Sequence, residues 1–336
     1  MRKNFKIRFL FIAIISLSIW SCESKKNKEK TENEQESSPV ETAKVDVPVF
    51  NQDTAYFYVQ KQVAFGPRVP NTVKHDECAD YLIETLKSFG LNVIVQQAKV
   101  KAFDNSVLNI KNIIAEFNPQ ASQRILLTAH WDTRPWADQD DQDKNKPILG
   151  ANDGASGVGV LLELARIISQ KNPRVGVDII LFDAEDYGQP EGTMVEQKSD
   201  TYCLGSQYWS KNLHKTNYHP LFGILLDMVG AKGATFTKEG NSTYYAPAVV
   251  NKVWDAANRL GYSNHFINLN SGWITDDHLY INSIAGIPTI DILHHDLATK
   301  SNFGTYWHTH DDNMDAVDRN TLKAVGQTLL EVIYKE

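Results

Sequence analysis

Six short segments of this 336-residue chain carry side chains able to hold a dication and move a proton. They are His130-Trp131-Asp132, the loop Gly150-Ala151-Asn152-Asp153-Gly154-Ala155-Ser156-Gly157, Asp183-Ala184-Glu185-Asp186, Asp227, Asp276-Asp277-His278 and Trp307-His308-Thr309. Imidazole and carboxylate without thiolate suit Zn²⁺ or a similar ion in a catalytic rather than a structural site. Each segment also has a plainer reading. His130 could be a buried, satisfied histidine, Asp132 could cap a turn, and Asp153 could cap the following helix. The glycine-rich loop lacks the Lys and the spacing of a phosphate cradle. Glu185 and Asp186 would read as surface charge if they did not follow an apolar run. All the plain readings must hold together, however. Acidic and His side chains buried unpaired at one end of a fold would cost several kcal/mol each. A shared dication offsets that cost most simply.

The elements that must position these residues are short and alternating. Residues 76–89 place Ala79, Leu82, Ile83, Leu86 and Phe89 at helical spacing, ending at Gly90. Strand-length apolar runs cover 93–95, 110–117, 125–129, 177–182, 222–229 and 287–293, most without clean polar alternation. That is how strands buried on both faces read. Helical stretches at 158–169, 206–212, 248–260 and 320–334 lie between or after them. Leu322, Val325, Leu329 and Ile333 mark the core face of the last one. The pattern predicts an α/β fold: one domain with a central, mostly parallel mixed sheet flanked by helices. In such sheets ligands bind beyond the carboxyl ends of the strands. The candidate residues stand just after the apolar runs.

Composition bounds the rest. The chain has 34 Lys and Arg against 41 Asp and Glu, a net charge of −7, and no basic stripe, which excludes a dedicated nucleic-acid binder. Arg2, Lys3, Lys6 and Arg8 precede an apolar run from Phe9 and then Ser21-Cys22. This reads as an export signal over 1–21, too short and one-sided for a transmembrane helix. Ile19-Trp20-Ser21-Cys22 resembles the lipobox of bacterial lipoproteins, which implies lipidation at Cys22. Residues 22–46 are rich in Lys, Glu, Asn, Ser and Gln, the composition of a disordered tether. A lipid-anchored protein facing the periplasm or the cell surface is expected, with the catalytic domain at 47–336. Cys78 and Cys203 could pair in an oxidising compartment. Residues 138–143, Asp-Gln-Asp-Asp-Gln-Asp, read as a solvated acidic loop rather than a Ca²⁺ loop, since the glycine and terminal Glu are lacking. His294-His295-Asp296 reads equally as a pocket rim or as surface.

From about Tyr56 onward the chain resembles the zinc-dependent glutaminyl-peptide cyclotransferases, which share the fold of the zinc aminopeptidases. The six segments above carry the resemblance. Leu161-Leu162-Glu163-Leu164-Ala165-Arg166, Gly205-Ser206 and Leu225-Leu226-Asp227-Met228-Val229-Gly230 extend it. It implies one Zn²⁺ on Asp153, Asp186 and His308, with Glu185 as the proton shuttle. Asp276 would position the scissile group and share a network with Glu185 and Asp227. Trp307 would wall the substrate pocket, and Gly272-Trp273-Ile274-Thr275 leads into Asp276 as the cyclase loop does. His130, with Asp132 behind it, would stand where the aminopeptidases place a second zinc. Two departures stand out. Asp186 replaces the Glu of many relatives, and residues 187–192 contain no Trp where the animal cyclases have one.

The resemblance implies peptides or proteins with N-terminal Gln as substrates, closed to pyroglutamate with release of ammonia. The same residues also fit an aminopeptidase with two zincs sharing Asp153. A non-enzymatic peptide-binding lipoprotein is the third reading, and an intact Glu185 argues against it.

Overall fold

The structure is a computed structural model that describes residues 45–190 and 196–336. The expected signal segment, Cys22 and nearly all of the tether lie outside the described residues. Among the described residues no helix is long and apolar enough to cross a membrane.

Helices α1 (Gln52–Ala64) and α2 (Val73–Ser88) precede a hairpin of β1 (Asn92–Lys101) and β2 (Val107–Phe117). Next come β3 (Arg124–His130), α3 (Ala155–Gln170), β4 (Gly176–Phe182), α4 (Leu204–Lys211) and β5 (Gly223–Asp227). The chain continues through β6 (Phe236–Lys238), α5 (Gly240–Tyr245), α6 (Pro247–Arg259) and β7 (Phe266–Asn270). It closes with α7 (Asp277–Tyr280), β8 (Thr289–Leu293) and α8 (Arg319–Lys335). Six strands form one sheet in the order β1-β2-β4-β3-β5-β8. The β1–β2 and β2–β4 pairs are antiparallel. The β4–β3, β3–β5 and β5–β8 pairs are parallel. This is the mixed, mostly parallel sheet that the apolar runs imply.

The runs lack alternation because both faces are covered. On one face Ile179, Leu181, Ile224 and Leu226 pack with Val59 of α1, Val158 and Leu162 of α3, and Leu329 of α8. On the other, Ile180 and Phe182 pack with Trp209 of α4 and with Ile281. Strand β1 is longer than its apolar core at 93–95. Gln96, Gln97, Lys99 and Lys101 continue it as an edge strand with partly solvated side chains. Strand β5 stops at Asp227, short of the run's end, because Met228 turns to φ 50. Helix α1 has no clear sequence signal, since its buried face mixes Ala55, Tyr58, Val59 and Gln62.

Parallel strands bring their carboxyl ends to one edge. His130 ends β3, Asp183 follows β4, Asp227 ends β5 and His294 follows β8. Helix α3 starts at that edge and lies close against the sheet. A Cβ on Gly157 would stand 2.4 Å from the Leu226 carbonyl oxygen and 3.0 Å from the Ala129 Cβ. Gly157→Ala is therefore expected to destabilise the domain by about 1–3 kcal/mol. Denaturant unfolding measures this, and an unchanged midpoint would show that α3 can slide.

Candidate active site

The loop after β3 decides what Asp153 does. Gly154, at φ 90, is the N-cap of α3, and no side chain caps that helix. A Cβ there would lie 2.8 Å from the Asp132 carbonyl oxygen, so only glycine lets the loop pass. Asp153 is thereby turned from the helix toward the sheet edge. Its backbone N–H and that of Asn152 donate to the Asp312 carboxylate at 3.0 and 2.7 Å. From the other side buried Arg68 donates to the carbonyls of Trp131, Leu149 and Gly150. Asp312 and Arg68 carry no motif of their own; only the fold brings them to the loop.

Two donor sets share Asp153. One is Asp153, Asp186 and His308; the other is His130, Asp153 and Asp227; within each, donor atoms lie within 4.8 Å of one another. His308 Nε2 stands 3.3 Å from Asp186 and 3.9 Å from Asp153. His130 Nε2 stands 3.0 Å from Asp153 and 3.2 Å from Asp227. Asp186 Oδ2 is buried and accepts no hydrogen bond. Burial and then the charge of Asp153 raise the Asp186 carboxyl above its usual range. Burial, Asp153 and Asp276 push Asp227 up to about 7, against the pull of His130. An orphaned buried oxygen within a set of carboxylate and imidazole donors fits a dication, and oxygen with nitrogen suits zinc.

Asp132 does more than back His130. It lies 3.5 Å from His130 Nδ1 and accepts from the backbone N–H groups of Glu185 and Asp186 at 3.0 and 3.2 Å. One carboxylate thus orients a histidine and fixes the turn bearing both Glu185 and Asp186. That turn passes through Ala184 at φ 52.

Glu185 is buried beside this set, and its Oε1 accepts from the Cys203 thiol at 3.2 Å. The Cys203 N–H also donates to the Glu185 carbonyl at 2.8 Å, from a residue at φ 59. Burial and the Glu185 charge raise the Cys203 pKa well above the ordinary value, so the thiol keeps its proton and donates it. Cys78 and Cys203 are both buried and free, so the pairing considered from sequence is absent. Burial, then Asp186, Asp276 and Asp277, raise Glu185 well above the usual carboxyl range, with His130 opposing. Asp276, the N-cap of α7, has a carboxylate oxygen within 4.8 Å of those of Glu185 and Cys203 Sγ. Asp276, Glu185 and Asp227 face one cavity. Their bonds nevertheless run to different partners: Glu185 to Cys203, Asp227 to His130, and Asp276 to the backbone N–H of Asp277.

The cavity measures about 450 Å³ and is lined by Asp153, Glu185, Asp186, Asp227, Asp276 and His308, among others. Trp307 lines it and stacks on His308 with ring centroids 3.8 Å apart. Trp273 lies at the mouth, 66% exposed, against Tyr244. His295 also lines the cavity, and His294 is buried against the Tyr306 hydroxyl, so neither is a surface residue. Where residues 187–190 supply no Trp, the ring facing the cavity is Tyr202, packed on Gly188.

Residues 112–333 match peptidase family M28. The chain belongs to this family. It is 54% identical to Bacteroides thetaiotaomicron glutaminyl cyclase, solved with N-acetylhistamine bound, at a TM-score of 0.85. That match covers 87% of this chain and 100% of the other. A leucine aminopeptidase precursor from the same species is 53% identical at a TM-score of 0.84, covering 87% of this chain and 99% of its own. The glutaminyl-peptide cyclotransferase of Bos taurus is 26% identical over 250 residues, which are 66% of this chain. The chain spans 64% of that bovine protein's length. The M28 assignment agrees with the zinc-type donors at the sheet edge.

Proposed function

We propose that the chain is a glutaminyl-peptide cyclotransferase that closes an N-terminal Gln to pyroglutamate and releases ammonia. The observation that carries this reading is the Glu185–Asp276 pair. Two carboxyls outside the donor set of Asp153, Asp186 and His308 converge on the same cavity. One proton shuttle and one positioning acid are what an intramolecular amide exchange requires. The likeness to the B. thetaiotaomicron cyclase supports the same assignment.

A zinc ion held by Asp153, Asp186 and His308 would supply the Lewis acidity that makes the γ-amide carbon electrophilic. The α-amine attacks that carbon, the new C–N bond closes a five-membered lactam, and the bond to the amide nitrogen breaks. Glu185 takes the proton that the attacking nitrogen sheds and returns it to the departing ammonia. Its Cys203 contact holds one oxygen in place, leaving the other for this transfer. Asp276 accepts from the substrate's N–H groups and orients them. Trp307 walls the Gln side chain, and Tyr202 and Trp273 border the remainder. Attack within one molecule already supplies much of the proximity advantage.

The second reading is an aminopeptidase, favoured by the second donor set of His130, Asp153 and Asp227. In it Glu185 would activate a water across two zincs. Under the cyclase reading that set holds no ion, and His130 bridges Asp153 to Asp227. Incubation with a Gln-initiated and a Leu-initiated dipeptide separates the two. Ammonia release without cleavage is expected from the first and no reaction from the second; a free amino acid from either overturns the proposal. The lipobox-like segment supports an exported protein anchored through Cys22, acting on peptides or proteins at a bacterial membrane.

A further inference from the structure

The acidic loop at 138–143 is not simply solvated. Its first residue, Asp138, is turned inward with only 9% of its side chain exposed. There it meets Arg134, whose side chain is fully buried. Arg134 donates through Nε and Nη2 to the two Asp138 oxygens at 2.6 and 2.9 Å, a bidentate fork. Its remaining nitrogen, Nη1, reaches the Asp186 carbonyl at 3.1 Å and Oδ1 at 3.4 Å. Asp138 Oδ1 also stands 3.4 Å from His308 Nδ1. That distance is longer than a well-formed N–H···O bond, yet Nδ1 is buried and hydrogen-bonds nothing else among the described residues.

Two backbone links hold the loop to the same segment. Gln139 N–H donates to the His308 carbonyl at 3.2 Å, and His310 N–H donates to Asp140 at 2.8 Å. His308 itself adopts φ 55, a conformation an L-residue keeps only when its surroundings hold it. The loop therefore grips the histidine at its carbonyl and one ring nitrogen, and holds His310 two residues on.

We propose that Asp138 is a positioning residue for the metal: it holds the His308 proton on Nδ1, so that Nε2 is the nitrogen presented to zinc. Arg134 completes the clamp by tying the same carboxylate to Asp186, a second proposed ligand. This rests on the donor assignment made above. A histidine that binds a metal through one nitrogen needs its other N–H anchored, and losing such an anchor costs roughly 10–100-fold in affinity. The bidentate fork from Arg134 supplies the positive partner that an anionic acceptor for the His308 N–H requires.

The test is zinc affinity, measured by competition with a chelating dye on wild type, Asp138→Asn and Asp186→Asn. Wild type is expected to bind zinc and Asp186→Asn to lose it. Asp138→Asn, nearly isosteric, is expected to release zinc 10–100-fold more readily. If Asp186→Asn binds as wild type does, the ligand assignment fails. If Asp186→Asn loses zinc while Asp138→Asn binds unchanged, the clamp alone fails. A second measurement needs no variant to fold. In ¹⁵N-histidine spectra of zinc-loaded wild type, His308 is expected to carry its proton on Nδ1, and a proton on Nε2 would overturn the proposal.

Discussion

Glu185→Gln is expected to lower kcat/KM for a Gln-initiated peptide by about 10²–10⁴-fold while leaving the zinc content unchanged. The substitution keeps the shape of the side chain and removes only its ability to take and return a proton. Geometry around it should survive. The backbone N–H groups of residues 185 and 186 stay on the Asp132 carboxylate, and Asp186 stays on Arg134. Cys203 can still donate to the amide oxygen of Gln. The size of the loss follows from what the site does to Glu185. Burial, Asp186, Asp276 and Asp277 raise its proton affinity toward the range where one group can act as both base and acid. Steady-state kinetics with metal analysis on the same preparation measures both terms. Wild-type turnover in the variant would move the proton transfer elsewhere; loss of zinc would make Glu185 a structural support.

The ease with which Glu185 can be found from sequence, and the difficulty of finding its supports, have one cause. Parallel strands buried on both faces read as apolar runs, and the rule that ligands sit past their carboxyl ends points at once to His130, Glu185, Asp186 and Asp227. Those candidates stand at the ends of their own elements. The residues that hold them lie elsewhere. Asp312 acts on the Asp153 backbone from 159 positions away. Cys203 reaches Glu185 across 18 residues from a left-handed backbone position. Asp291 sits inside β8 within 4.8 Å of Asp276 and His278, where a single acid in an apolar strand looks like noise. Asp138 was hidden differently: its charged neighbours made the segment look like a solvated loop, and only the buried Arg134 explains why it turns inward. A contact made across sequence distance leaves no period and no motif. The same reasoning accounts for the unforeseen α1, whose mixed face makes sense only once α3 and α8 cover it.

Stripping the metal with a chelator is expected to abolish turnover and to make stability fall as pH rises from about 6.5 to 8. The sign comes from groups that hold protons in the fold but not in the unfolded chain. Burial, with Asp153 and Asp276, pushes Asp227 up to about 7. Burial and the Asp153 charge push Asp312 up to about 8. Unfolded, both are ionised above roughly pH 4. Between pH 6.5 and 8 the native metal-free protein therefore releases protons that the unfolded chain has already lost, and stability falls by about 2 kcal/mol from these two groups. His130 adds to the trend, because Asp132, Asp153 and Asp227 together raise it well above its usual value despite burial. His294, lowered to about 4 by burial, opposes it, but its unfolded-state protonation is half gone at pH 6.5 and adds only about 0.4 kcal/mol across the window. With zinc held by Asp153, Asp186 and His308, the ion would offset the Asp153 charge that raises Asp227 and Asp312, so both would titrate lower and less of this fall would remain. The gap in unfolding free energy between loaded and stripped protein should widen across this window. Denaturant unfolding at several pH values, with and without chelator, measures it. Parallel pH profiles for the two forms would mean that no bound metal offsets the Asp153 charge.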